Sequence, residues 1–409
     1  MTGCRAGVTW DEARLVAYEA GRPLPPVAVA LDAALGTVLA APLVARVALP
    51  PADVSAMDGY AVAGPGPWVL VGTPRTARSG DRSSRTGRSL GGAGAALADG
   101  EATPVVTGAP VPAGTTAVLA VEQATFALPP EPASAGTVLH GQTAPGRHIR
   151  PVGEECTAGE TVLPAGGPVT PAVLGLAAAL GYDEVRVHPL PAVAALVTGD
   201  ELADAGLPAP GRTRDAIGPM LAGLVAAVGG RWCGARRIPD RSDAFRAALD
   251  GATADVVLLS GASGKGPADH LRTVLDELGA ELLVDGVACR PGHPQTLARL
   301  PGNRLLVGLP GNPFAALTAF LTLAAPALAG LRGAPLPEPA KFPGRGFGAH
   351  DRVHRVVPAR VTGGVAEPLE HGGPAMLRGV AAADCLAVVD PGSAATVRLL
   401  APGGTPWAG

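Results

Sequence analysis

Three apolar runs, the second broken only by Asp255, stand out after residue 190, at 193–197, 254–259 and 305–309. Segments of helical period lie among them, at 215–228, 242–249 and 269–278. Runs without polar alternation mark strands that are covered on both faces. The pattern therefore predicts a parallel sheet with helices on both sides. A turn of unusual residues follows each run: Thr198-Gly199-Asp200-Glu201, then Ser260-Gly261-Ala262-Ser263-Gly264-Lys265-Gly266, then Pro310-Gly311-Asn312-Pro313. These turns fall at the carboxyl edge of the predicted sheet, where open α/β sheets bind ligands. The apolar stretch 317–331 is too short for an ordinary membrane span and contains Pro326, so it reads as a buried helix.

The remaining pattern is less regular. Residues 9–20 predict a helix, with Thr9 as its cap and Asp11 and Glu12 in its first turn. Residues 27–40 suggest a strand followed by a helix. The Pro-flanked segment 49–62 is too irregular for a long helix. Residues 69–121 hold short strand-like runs, such as 104–107 and 117–121, and predict a small β-rich module with a mobile Arg- and Ser-rich loop at 75–88. Strand-like runs with glycine turns return after 335, at 353–361 and 396–400, as expected of a small all-β domain.

Composition narrows the function classes. The 409 residues, 47% of them hydrophobic, suffice for about three domains. The 57 glycines and 43 prolines point to many tight turns. A net charge of −3 supplies no field for nucleic acid or an anionic membrane, and 3% aromatics is too few for base-stacking platforms. The five cysteines, Cys4, Cys156, Cys233, Cys289 and Cys385, are scattered and form no CxxC pair. With no apolar leader in residues 1–15, this predicts a reducing cytoplasm. Lysine occurs only at 265 and 341 and asparagine only at 303 and 312, in a chain rich in arginine. A retained lysine or asparagine therefore carries more information than an arginine.

The residues at the predicted sheet edge suit phosphate chemistry. The glycines of Ser260–Gly266, with Lys265, form either an anion cradle or an ordinary strand-to-helix turn. It is neither a GxxxxGK[ST] loop nor a GxGxxG fingerprint. Asn312 is placed to cap a helix whose first turn holds Pro313. Asp200, Glu201, Asp215 and Asp269 stand at the same edge, where carboxylates suit Mg2+ and nucleotide phosphates. Each is also a candidate cap or solvated acid. Arg290 and His293, in Cys289-Arg290-Pro291-Gly292-His293-Pro294, are candidate oxyanion donors. On the residues alone, a phosphate-handling enzyme and a binding or scaffold protein both remain open.

Longer motifs add a resemblance. The segment from Leu49 to Val62, containing Ser55-Ala56-Met57-Asp58-Gly59-Tyr60-Ala61-Val62, resembles the signature of the MoeA family, the molybdopterin molybdenumtransferases that include the gephyrin E domain. Further matches follow in family order: Thr107-Gly108-Ala109-Pro110, Gly153-Glu154-Glu155, Thr170-Pro171 with Leu180-Gly181, Thr198-Gly199-Asp200-Glu201-Leu202, Ser260-Gly261, Arg290-Pro291-Gly292 and Gly308 through Pro313. The resemblance covers nearly the whole chain and implies an α/β and β multidomain fold. Its parts are an extended N-terminal module (1–48 and 146–184), an inserted β-rich domain (49–145), a MogA-like three-layer α/β molybdopterin-binding domain (185–333) and a C-terminal β-barrel (334–409).

The implied reaction converts adenylylated molybdopterin and molybdate, with Mg2+, into molybdenum cofactor and AMP. Implied catalytic residues are Asp58, Thr107, Glu201, Asp215 and Asp269, with Glu201, Asp215 and Asp269 at the metal. Substrate binding falls to Ser260, Gly261, Lys265, Arg290, His293, Pro310, Gly311, Asn312 and Pro313. The implied partners are a second copy of the chain, sharing the site through Asp58, and other molybdenum cofactor biosynthesis proteins or molybdoenzymes. Nucleic acid and membrane are not expected. Several positions depart from the family pattern. Pro104 stands where an Arg is usual, the GGVSVG loop has gained Lys265, and the DSN-type motif reads Asp215-Ala216-Ile217. His293 replaces the second lysine of KPGKP, Pro151 and Val152 replace basic residues, and Pro374 replaces a Gly-Ser pair. These losses of anion-gripping groups leave a second expectation, a weakened paralogue that binds molybdopterin or a partner protein without turnover. Lys265 is expected to replace part of the lost charge.

Overall fold

The computed structural model describes residues 5–71, 96–127, 137–261 and 270–401. The expected loop at 75–88, Ala262–Gly266 with Lys265, and Asp269 lie outside these residues. The chain forms two compact units. One comprises Met1–Ala41, Ala165–Leu174 and Glu184–Gly409; the other comprises Pro42–Pro164 and Gly175–Asp183.

The first unit is built on a seven-stranded sheet. Its order is Arg5–Val8, Glu281–Val287, Thr296–Arg299, Leu305–Leu309, Val256–Ser260, Ala192–Val197 and Arg231–Arg237. All neighbours run parallel except Thr296–Arg299, which is antiparallel to both of its partners. The central strands feed two cores by strict alternation. Val193, Ala195, Val256, Leu258, Leu305, Val307 and Leu309 face the helices Trp10–Ala20, Gly218–Ala227 and the long apolar helix. Leu196, Val257, Leu259 and Leu306 face Ser242–Asp250 and Leu271–Glu277. Burial on both faces explains why these strands read as continuous apolar runs.

The long helix Pro313–Leu331 has the length and composition of a membrane span, yet it is almost wholly buried within the unit. It contains a π-helical turn at Phe320–Ala324. Trp10 of the first helix donates its indole N–H to the Thr322 hydroxyl at 3.0 Å, and that hydroxyl donates to the Thr318 carbonyl at 2.7 Å. Thr9 and Glu12 form the expected reciprocal cap of the first helix.

Two expectations need correction. The helix expected after residue 30 is a single 3-10 turn, Leu31–Ala33. Gly36, at φ +78°, ends the segment before an α-helix has room to form. Asn312 does hold the cap position of the long helix, but its side chain makes no capping bond. The N–H groups of Phe314 and Ala315 instead donate to the carbonyl of Pro374, at 3.0 and 3.1 Å. A residue of the C-terminal domain thus caps this helix.

That domain is an antiparallel barrel. His354–Thr362 pairs with Val365–Pro368 and Cys385–Val389, and Thr396–Leu400 links Cys385–Val389 to Ala340–Pro343. A bridge from Gly344 to Ala366 closes the ring. Ala359, Ala366, Ala387, Val389, Val397 and Leu399 fill its interior. Cys289–Arg290, just after the sheet strand Glu281–Val287, extends the barrel by pairing parallel to its strand at His354 and Arg355.

The second unit contains a six-stranded sheet of order Thr125–Ala127, Val138–His140, Trp68–Leu70, Glu101–Val105, Gly59–Val62 and Ala117–Ala120. Val62, Trp68, Ala102, Leu119 and Leu139 form its core.

Candidate functional site

The carboxyl ends of three parallel strands meet in the first unit. Thr198 donates from its hydroxyl and its N–H to the Ser260 carbonyl, at 2.9 and 3.1 Å. Gly261 donates to the Leu309 carbonyl at 3.2 Å. Gly261 sits at φ +91°, and a Cβ there would lie 2.6 Å from the Thr198 hydroxyl. Only glycine lets the three turns pack this closely.

These turns wall a cavity of about 540 Å³ lined by Thr198, Gly199, Glu201, Asp215, Asp240, Ser260, Gly261, Gly311, Asn312 and Pro313, with Ala375 and Leu377 from the C-terminal domain. The structure thus brings together Glu201, Asp215, Ser260, Gly261, Gly311, Asn312 and Pro313. Pro310 is buried immediately before them. Asp200 is exposed and is not among the lining residues.

Asp215 does serve as a cap. Its Oδ1 accepts from the N–H groups of Ile217 and Gly218, at 2.9 and 3.0 Å, so the helix starts at Gly218 rather than at Asp215. Its Oδ2 lies where a Cβ on Gly218 would be. Gly218→Ala should therefore swing the carboxylate away; the helix loses this cap but gains the propensity of alanine, opposing changes of about 1 kcal/mol each. We expect catalytic activity to fall at least about ten-fold with an unchanged melting temperature, because small misplacements at reacting centres are costly. Full activity would show that the observed orientation is not used.

Two contributors have no motif in the sequence reading. Asp240 follows Arg231–Arg237, an edge strand whose polar, glycine-containing sequence hides it from a search for apolar runs. At the end of that strand, Arg237 donates to the carbonyls of Gly199 and Leu202, at 2.9 and 2.8 Å, and pairs with Asp204 at 2.6 Å. It thereby positions the loop that carries Glu201. Its signal was the register of a neighbouring strand, since Arg237 is the pairing partner of Val197.

Among the described residues, no group of three or more His, Cys, Asp or Glu side chains is close enough to hold a metal ion by itself. Mg2+ commonly binds through one or two carboxylates, its own waters and substrate phosphates. The acid-lined cavity fits an ion that is completed by the substrate.

Arg290 lines a second cavity, of about 770 Å³, between its own strand and the barrel. His293 lines neither cavity. It is exposed, and its Nδ1 donates to the Val287 carbonyl at 2.7 Å.

Asp58 and Thr107 come together in the second unit. The Thr107 N–H and hydroxyl donate to Asp58 Oδ1, at 2.7 and 2.9 Å. The backbone bond, followed by the hydroxyl bond, holds the exposed Asp58 carboxyl below its ordinary range. The motif residues build this contact. Ser55 is buried and accepts from the Met57 N–H, while Gly108 donates to the Ser55 carbonyl at 2.8 Å. A Cβ on Gly59 would collide with the Leu119 carbonyl, which accounts for the glycine beside Asp58.

The site and fold define a multidomain protein with a ligand cavity at the carboxyl edge of an α/β sheet. Family models match in sequence order: the MoeA N-terminal region (domain I and II) over 8–181, a probable molybdopterin binding domain over 194–330, and the MoeA C-terminal region (domain IV) over 345–398. The chain is 36% identical over 342 residues to molybdopterin molybdenumtransferase 2 of Mycobacterium tuberculosis, covering 80% of each chain. It is 31% identical over 326 residues to the molybdopterin molybdenumtransferase of Staphylococcus aureus, covering 76% of this chain and 73% of that protein. The MoeA crystal structure from Pyrococcus horikoshii superposes with a TM-score of 0.73 at 22% identity, covering 96% of this chain and 100% of that one, which shows the fold. The chain belongs to the MoeA family.

Proposed function

We propose that this chain is a molybdopterin molybdenumtransferase of molybdenum cofactor biosynthesis. It takes adenylylated molybdopterin and molybdate and yields molybdenum cofactor and AMP. What most supports the reading is the acid-lined cavity at the carboxyl edge of the sheet, in a chain whose relatives carry this name. Glu201, Asp215 and Asp240 lie where a nucleotide phosphoanhydride would enter, and Asp269 keeps the role implied by its motif. Mg2+, held by Glu201 and Asp215 with Asp269, would offset the negative charge of the phosphoanhydride. Ser260, Gly261, Pro310, Gly311, Asn312 and Pro313 shape the wall against the substrate. Arg290 draws the oxyanion into the adjoining cavity, and Lys265 keeps the substrate-binding role implied by its motif.

The working form is a homodimer, in which a second copy brings Asp58 and Thr107 to the site; sedimentation as a monomer at working concentration would contradict this. The free thiols of Cys156, Cys233, Cys289 and Cys385 suit a cytoplasmic setting. The reaction is tested by incubating the protein with adenylylated molybdopterin, Mg2+ and molybdate. The expected result is AMP release that requires both molybdate and Mg2+. Tight binding without release would overturn the proposal.

A further inference from the structure

We infer that Arg237 is the positioning residue of the acidic cavity, holding Glu201, Asp215 and Asp240 at one fixed spacing. The inference rests on the transferase reading and names what keeps its carboxylates together. Glu201, Asp215 and Asp240 line one cavity, and like charges brought together repel. The segment that carries the first two of them has little to resist that repulsion. Residues 199–214 include Gly199, Gly206 and Gly211, each at positive φ. Their regular structure is a strand pair two residues long, Leu202–Ala203 beside Thr213–Arg214. Such a segment needs an anchor outside itself.

Arg237 acts on all three acids. One terminal nitrogen of its guanidinium donates to both the Gly199 and the Leu202 carbonyls, which clamps the two ends of the turn around Glu201. The Gly199 carbonyl also accepts the Leu202 N–H at 3.0 Å. The Glu201 carboxylate lies back over Gly199, where a Cβ would come within 2.8 Å of its Oε1. Fixing Gly199 therefore fixes Glu201. The short strand pair passes this on to Asp215: Thr213 donates to the Glu201 carbonyl at 3.0 Å, and Asp215 donates to the Ala203 carbonyl at 3.4 Å. The main chain of Arg237 serves Asp240. Arg237 pairs with Val197, and Ile238 donates to the Val197 carbonyl at 3.0 Å, which sets Asp240 two residues further on at the cavity. The other terminal nitrogen of Arg237 pairs with Asp204, which is not among the lining residues and offsets the arginine charge outside the cavity. A lysine has no planar fork and cannot hold the two carbonyls and the carboxylate in the same way.

Amide hydrogen exchange and AMP release, both measured on the full chain, test the clamp. In Arg237→Gln the amides of 199–214 should exchange at least about ten-fold faster, with the strand Val256–Ser260 unchanged. The rate constant of AMP release at saturating substrate should fall at least about ten-fold while KM stays within about two-fold. Arg237→Lys should recover part of both effects, and Arg236→Gln, at its exposed neighbour, should show neither. Unchanged exchange in 199–214 overturns the inference, and so does faster exchange with a normal rate. Faster exchange in Val256–Ser260 as well would mean that Arg237 supports the fold as a whole, which also overturns it. A wild type that releases no AMP sinks the transferase reading alone. The exchange comparison then decides the clamp, with faster exchange confined to 199–214 upholding it.

Discussion

Asp240→Asn should lower the rate of AMP release about 10–100-fold, the range seen when a group that supports metal-holding carboxylates is lost. Asn is close to Asp in size, so the fold should persist and melting should hardly change. Asp240 lines the cavity together with Glu201 and Asp215. The exposed Asp200, only one residue from Glu201, provides the contrast: Asp200→Asn should leave the rate intact. The two variants together separate a role within the cavity from a general effect of acidic charge near it. A normal rate in Asp240→Asn would remove this residue from the proposed chemistry.

The largest effect on stability is expected at Gly330. A Cβ there would fall inside contact distance of the Tyr18 and Gly21 carbonyls, and one on Gly21 would meet the Ala327 carbonyl. The first helix and the end of the long helix touch backbone to backbone at this point. Backbone atoms cannot turn aside as a side chain can, so Gly330→Ala must push the helices apart. The expected cost is about 3 kcal/mol or more, seen as a fall in melting temperature of about 5 °C or more. Gly223→Ala is the control. That position lies in the helix Gly218–Ala227 with nothing near its missing Cβ, and alanine should add about 1 kcal/mol there. Equal melting temperatures for the two variants would refute the close-contact account.

The strands that carry the site were readable because both of their faces are buried, and the glycines after them mark turns that a Cβ would block. Asp240 was not readable, because the edge strand before it has no apolar run to announce it. The Asn312 cap was misread for a different reason. Local sequence nominates the side chain, but the carbonyl that takes the helix N–H groups belongs to Pro374, in another domain. The strand Arg5–Val8 joins the sheet beside Glu281–Val287, a long-range parallel pairing with no local signature. Motifs located the turns; tertiary pairing decided which side chains share a cavity.

The central claim is that anhydride cleavage and metal insertion are one coupled reaction in this chain. The most direct test is to allow limited turnover, separate the pterin product from free molybdate, and measure molybdenum in that product against AMP released. The account predicts equal amounts of the two, and neither when molybdate is withheld. AMP released without molybdenum in the pterin product would contradict it.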